Sequence, residues 1–171
     1  MDDKQAALLL NIPLAGVNAI GTFISLLFID KLGRRYLMLR TLPFAAASWI
    51  VVAIGMWLNG KSDSSDSGLN AGSIMAFTGV ILFLLSFSIG MSSTPWTVNS
   101  EIYPLHIIGS GGSVATTTNW LSNFVVATIF PLTLTTTAGE VASFSVLAIF
   151  AVLAWVFIYF LLPETANKSI Q

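Results

Sequence analysis

Five stretches of twenty-odd residues carry almost no charge, and they leave this chain few ways to fold. They run over 5–29, 36–59, 72–97, 111–136 and 141–162, and Arg40 is the only Asp, Glu, Lys or Arg inside them. A helix crossing the hydrocarbon of a bilayer needs roughly 20 apolar residues. Only helices and closed barrels satisfy every backbone N–H and C=O within lipid. Barrel strands would alternate apolar and polar residues over segments of about ten residues. The runs here are continuous, so the expected fold is all-α, an integral membrane helical bundle of about five transmembrane helices.

Charge supports this reading. Only 9% of the residues are charged and 55% are hydrophobic, against about 25% charged in an average soluble domain. So few charges cannot cover a water-facing surface. With no cysteine, a single His106 and eight scattered carboxylates, the sequence offers neither a disulfide framework nor a metal-ligand set. A net charge of −1 argues against nucleic acid, which calls for a basic surface. There is no Gly-rich phosphate loop with its lysine and no catalytic triad, so neither an enzyme nor a cofactor is expected.

The connections are short: 30–35, 60–71, 98–110, 137–140 and a tail at 163–171. Successive helices are therefore antiparallel, and alternate loops fall on opposite sides. One side holds Lys31, Arg34, Arg35, Arg40 and Lys168; the other holds Lys4 and Lys61. The positive-inside rule makes the first side cytoplasmic. Loop 60–71 is then extracellular or lumenal and the tail cytoplasmic, in a plasma or vacuolar membrane. Five spans put the N-terminus outside although it lacks the basic start of a signal peptide. The expectation is the C-terminal part of a longer protein.

Three features carry chemistry. The first is the tight basic turn "DKLGRRYLMLR". It anchors the cytoplasmic side, and Arg34 and Arg35 are also placed to pair with Glu101 or Glu164 on that side. Contacts of this kind, broken and remade, are what a bistable gate needs. The second is a set of polar residues inside spans: Asn18, and Asn119 with Asn123 four residues on, sharing one helix face. Such side chains face the bundle interior or a wet cavity, or serve as interhelical hydrogen-bond glue. With Trp96 they suggest a polyol site, in which amides meet hydroxyls and the indole meets a C–H face. The third is helix breakage, with Gly90 and Pro95 near the end of the third span and Pro131 in the fourth. Secondary transporters build midplane sites from discontinuous helices, although membrane helices also tolerate Pro and Gly without such a role.

Four motifs occur in the order found in the sugar porters of the major facilitator superfamily: "DKLGRR" (30–35), "PWTVNSEIYP" (95–104), "NWLSN" (119–123) and "LPETANKS" (162–169). The whole chain resembles spans eight to twelve of a twelve-helix transporter, the C-terminal half lacking its first span. Within that family "GVNAIGTFIS", "GMSSTPWTVNSEIYPL" and "ATTTNWLSNFVV" are most similar to the proton-coupled myo-inositol transporters. Glucose facilitators have Gly-Pro-x-Pro-Trp before the same Glu and an acidic residue eight positions before the Trp. Here Ser92, Ser93, Thr94, Pro95 and Trp96 break the first pattern, and Ser88 holds the acidic position.

The resemblance implies that Trp96, Asn18, Asn119 and Asn123 contact the substrate, and that Arg34, Arg35, Glu101 and Glu164 form a cytoplasmic salt-bridge network. It implies a small polyol or sugar substrate, a proton as coupling ion, and an N-terminal transporter half as partner. Two departures weaken the network. Ile108–Gly109 stands where the family has Arg–Gly, and the tail reads Pro163, Glu164, Thr165, Ala166, Asn167 instead of Pro-Glu-Thr-Lys-Gly. A less stable outward-open state is expected, and no transport by these residues alone. A hexose transporter fragment and a non-transporting truncated membrane protein are the alternatives.

Overall fold

A computed structural model describes residues 3–61 and 70–164, without the side chains of 3–10 and 30. Residues 62–69, most of the expected 60–71 loop, and 165–171, most of the expected tail, lie outside the described residues. The described chain is helical: α1 (Asp3–Leu32), α2 (Arg34–Lys61), α3 (Ala71–Gly90), α4 (Thr94–Glu101), α5 (Ile108–Thr133) and α6 (Thr137–Leu161). The expected all-helical membrane bundle is what forms. The third span differs in detail. It runs on to Glu101, and it is interrupted at Met91–Ser93, with Pro95 in the first turn of α4. Proline suits that position because the first amides of a helix have no intrahelical acceptor.

Among the described residues, four segments are long and apolar enough to cross a membrane: α1 over Asn11–Ile29, α2, α3 with α4 over Ala71–Glu101, and α6. The fourth expected span, seen as α5, has the length at 26 residues. Its threonines, serines and asparagines leave it short of the apolar composition of the others.

The bundle is built around α2, which packs extensively against α3 and α6, while α1 packs on α3. The α2–α3 crossing is close because small residues face each other. A Cβ added at Gly55 would lie 2.6 Å from the Ala76 amide nitrogen, and one at Gly72 would lie 2.6 Å from that of Asn59. With lipid as the solvent there is little hydrophobic drive between helices, and close backbone approach supplies van der Waals energy instead. An aromatic row crosses the other elements, with Phe83 and Phe144 flanking Trp49 at centroid distances of 4.1 and 5.6 Å. Toward the Arg34 end a compact core forms from Met38, Leu42, Val98 and Ile158. Beside it the Trp155 indole N–H donates to the Leu39 carbonyl at 3.0 Å.

Elsewhere the surface is apolar. Phe23, Phe44, Phe124, Phe150 and Phe160 are all more than 60% exposed. Such a surface is unstable in water and at ease in a bilayer. Helix α5 has no buried residue and packs only lightly against α4 and α6.

Candidate functional site

Gly33 links α1 to α2 with φ +88°, a left-handed conformation open to glycine. It also makes room for a carboxylate: a Cβ there would lie 2.9 Å from Glu164 Oε2. Glu164 Oε1 accepts from the Arg34 backbone N–H at 3.1 Å. This places a negative charge at the N-terminus of α2, where the helix dipole favours it. The Arg34 guanidinium reaches across to α4, and its Nη2 donates to Glu101 Oε1 at 3.0 Å. The two side chains are 14% and 23% exposed. Glu101 Oε2 is buried and has no hydrogen-bond partner among the described residues. Arg34 therefore meets Glu101 through its guanidinium and Glu164 through its backbone N–H. Arg35 goes elsewhere, with its Nη2 donating to the Tyr159 carbonyl near the end of α6. All four residues tie α2, α4 and the end of α6 together at one end of the bundle.

At the α1–α3 contact, Asn18 Oδ1 accepts from Ser88 Oγ at 3.0 Å and from Thr22 Oγ1 at 3.4 Å. Thr22 also lies 3.4 Å from Ser92 Oγ, and Ser25 and Ser93 share a hydrogen bond at 3.2 Å. Ser25 and Ser88 are fully buried. The result is a polar seam that starts at Asn18 and ends in the interruption between α3 and α4. The Ser88 hydroxyl is the donor to Asn18 Oδ1. Asn18 is itself exposed, and its Nδ2 donors have no protein acceptor among the described residues. Thr22, Ser25, Ser92 and Ser93 were missed by sequence reasoning. Their signal was the spacing Asn18, Thr22, Ser25 and Ser88, Ser92, which sets polar groups along one face of each helix.

Trp96 sits in the first turn of α4 with 47% of its surface exposed. Asn119 and Asn123 lie on the open surface of α5. Asn123 Nδ2 donates to the Asn119 carbonyl at 2.9 Å, so it is engaged with its own helix. The Asn119 amide has no hydrogen-bond partner among the described residues. No hydrogen bond joins the Asn18 seam to Asn119 or Asn123 there. The structure thus gathers Asn18 with Ser88 and Thr22, and leaves Trp96, Asn119 and Asn123 on open surfaces. Amide donors, an exposed indole and a row of hydroxyls can hold a neutral, hydroxyl-rich molecule.

The fold is that of the major facilitator superfamily. The chain superposes with a TM-score of 0.83 on the proton:xylose symporter XylE bound to 6-bromo-6-deoxy-D-glucose, at 22% identity, covering 98% of this chain and 34% of that one. The match to a partially occluded, inward-open XylE from E. coli has a TM-score of 0.77. The family model described as "Sugar (and other) transporter" matches residues 1–171, and the chain belongs to that family of multi-pass membrane transporters, which are not enzymes. Among its relatives are Membrane transporter D1 of Leishmania donovani, 31% identical over 99% of this chain, and Myo-inositol transporter 1 of Saccharomyces cerevisiae, 30% identical over 94%. Probable inositol transporter 2 of Arabidopsis thaliana is 41% identical over 56%. The chain spans about 30% of the Leishmania protein and 28% of the yeast one.

Proposed function

We propose that these residues form one wall of the central cavity of a secondary transporter that carries myo-inositol with a proton by alternating access. The observation that carries the reading is the exposed Asn18 amide, held through Oδ1 by Ser88 and Thr22 beside an interrupted span, with its Nδ2 donors unclaimed among the described residues. A cyclic polyol offers acceptors for those donors and a C–H face for Trp96. The relatives named as myo-inositol transporters support the substrate, as does the neutral Ser88 in place of an acid. In this reading Asn119 and Asn123 approach the substrate from α5. Arg34, Arg35, Glu101 and Glu164 close the cytoplasmic end, with the tail on the same side. The exposed faces of α5 then meet the N-terminal half of the carrier.

The test begins with the native polypeptide, purified from its own membranes by an antibody against "PETANKSIQ" and reconstituted into vesicles. Uptake of labelled myo-inositol, accelerated by an inward proton gradient and resisted by excess glucose, is the expected result. Glucose or xylose flux at equal efficiency would make it a hexose carrier. Absence of any flux from vesicles with correctly inserted protein would make it a non-transporting membrane protein.

Two substitutions probe the site in the same assay. Asn119→Ala removes a hydroxyl contact, and a net hydrogen bond of about 0.5–1.5 kcal/mol predicts a KM raised roughly two- to tenfold. An unchanged KM would make Asn119 an interhelical contact. Ser88→Ala frees Asn18 Oδ1 to turn its amide, and a KM rise of about threefold is expected by the same measure, with maximal flux retained. Ile108→Arg tests the gate, because it offers a donor near the α4–α5 turn for the unsatisfied Glu101 Oε2. Spin labels across the Arg34 end should show a larger closed fraction. An unaltered distance distribution would remove Ile108 from the gate.

A further inference from the structure

Helices α2 and α6 leave an apolar groove of about 580 Å³ between them. Its lining includes the small, buried Ala53 and Ala148. Its walls are Ile54 and Trp57 on α2 and Ile149 and Val152 on α6, all 43–58% exposed. Along α6 the lining covers residues 141–153, a length of about 18 Å at 1.5 Å per residue. That is close to one leaflet, half of the roughly 30 Å hydrocarbon core. The groove is lined almost wholly by apolar side chains, which suit a hydrocarbon chain lying along it. An alkyl chain fits it.

The mouth of the groove carries charge. Lys61, the last residue of α2, holds its ammonium 3.8 Å from the centre of the Trp57 ring. A Cβ on the neighbouring Gly60 would meet Thr137 at the start of α6, so Lys61 and Glu140 of the first turn of α6 stand at the same end. Among the described residues neither the Lys61 ammonium nor the Glu140 carboxylate has an ion-pair partner. Opposite charges with no ion-pair partner among the described residues, over a leaflet-deep apolar groove, match a zwitterionic headgroup above its acyl chain.

We propose that this groove binds one ethanolamine glycerophospholipid of the leaflet at the Lys61 end. The acyl chain lies on Ala53 and Ala148. The Lys61 ammonium takes the phosphate, and the Glu140 carboxylate accepts from the lipid amine. A choline headgroup, with no N–H, loses the last contact. A sterol uses neither charge.

Native mass spectrometry of the full chain, titrated with phosphatidylethanolamine, phosphatidylcholine, phosphatidylglycerol or cholesterol, reads this directly. One lipid should bind, with ethanolamine favoured over choline by about fivefold, the scale expected for one interfacial charge contact. Lys61→Glu, at an exposed helix end, should weaken both zwitterionic lipids by at least that factor. Glu140→Gln should erase the ethanolamine preference and leave choline binding unchanged. Ser145→Phe, which fills the channel, should abolish retention of any phospholipid. Equal affinity for the two zwitterions in the unaltered chain would overturn the proposal without reference to any variant. So would preferential cholesterol binding, or phospholipid retention indifferent to both charge substitutions.

Discussion

Gly55→Val is expected to separate α2 from α3 and to be among the most damaging single changes in the chain. The added Cβ would lie 2.6 Å from the Ala76 nitrogen and 2.9 Å from the Gly72 carbonyl oxygen. Both are backbone atoms of a helix, so neither yields as a flexible side chain would. The helices must move apart, and the separation spreads to Gly72 and to Gly79, which approaches Val52 and Ser48. Overpacking of this kind costs roughly 3 kcal/mol, and here it strikes the contact on which the bundle rests. The chain has no cysteine, so a disulfide can be introduced as a clean reporter. Asn59 and Ser73 touch through a 3.1 Å hydrogen bond, and the pair Asn59→Cys with Ser73→Cys should cross-link readily. Adding Gly55→Val should suppress cross-linking strongly. Gly16→Val is the control, since a Cβ there meets nothing within 4 Å, and it should leave the yield intact. Equal yields from the two valine variants would show that the α2–α3 crossing tolerates separation.

Loss of the Arg34–Glu101 pair is the second large effect. An exposed pair contributes about 0–1 kcal/mol, and removing one partner of a buried pair costs about 3–5 kcal/mol. At 14% and 23% exposure this pair lies between those limits, and a coupling of about 2 kcal/mol is expected. A double-mutant cycle on Arg34→Ala and Glu101→Ala, read by unfolding in mixed micelles, measures it. A coupling near zero would reduce the pair to a surface contact. In the proposed carrier the same energy biases the closed end by roughly 30-fold. Glu101→Ala should then shift spin-label distances across the Arg34 end toward the open state, while Arg40→Ala, on the exposed face beside Tyr36, should not.

The Asn18 seam shows where sequence reasoning reached its limit. Asn18 stood out because an amide inside an apolar run is costly unless it is satisfied. Its partners did not, because Thr and Ser bond readily to their own helix, as Ser92 does to the Ser88 carbonyl. Nothing local distinguishes such a residue from one that bonds across an interface. Arg35 is a similar case. Its charge suggested a carboxylate, and the end of α6 offered a carbonyl instead.

Hydrophobic run length, charge spacing and the Gly33 turn by themselves determined that this is a helical membrane protein with a basic, charge-paired end. They could do so because a bilayer admits few backbone solutions and penalises every stray charge. The four motifs, in their order, identified the family. Tertiary structure alone decided where the third span breaks, which hydroxyls face Asn18, and that α2 and α6 part to leave a groove. Those outcomes depend on how closely two backbones approach, and that distance is set jointly by small residues far apart in the chain, such as Gly55 with Gly72.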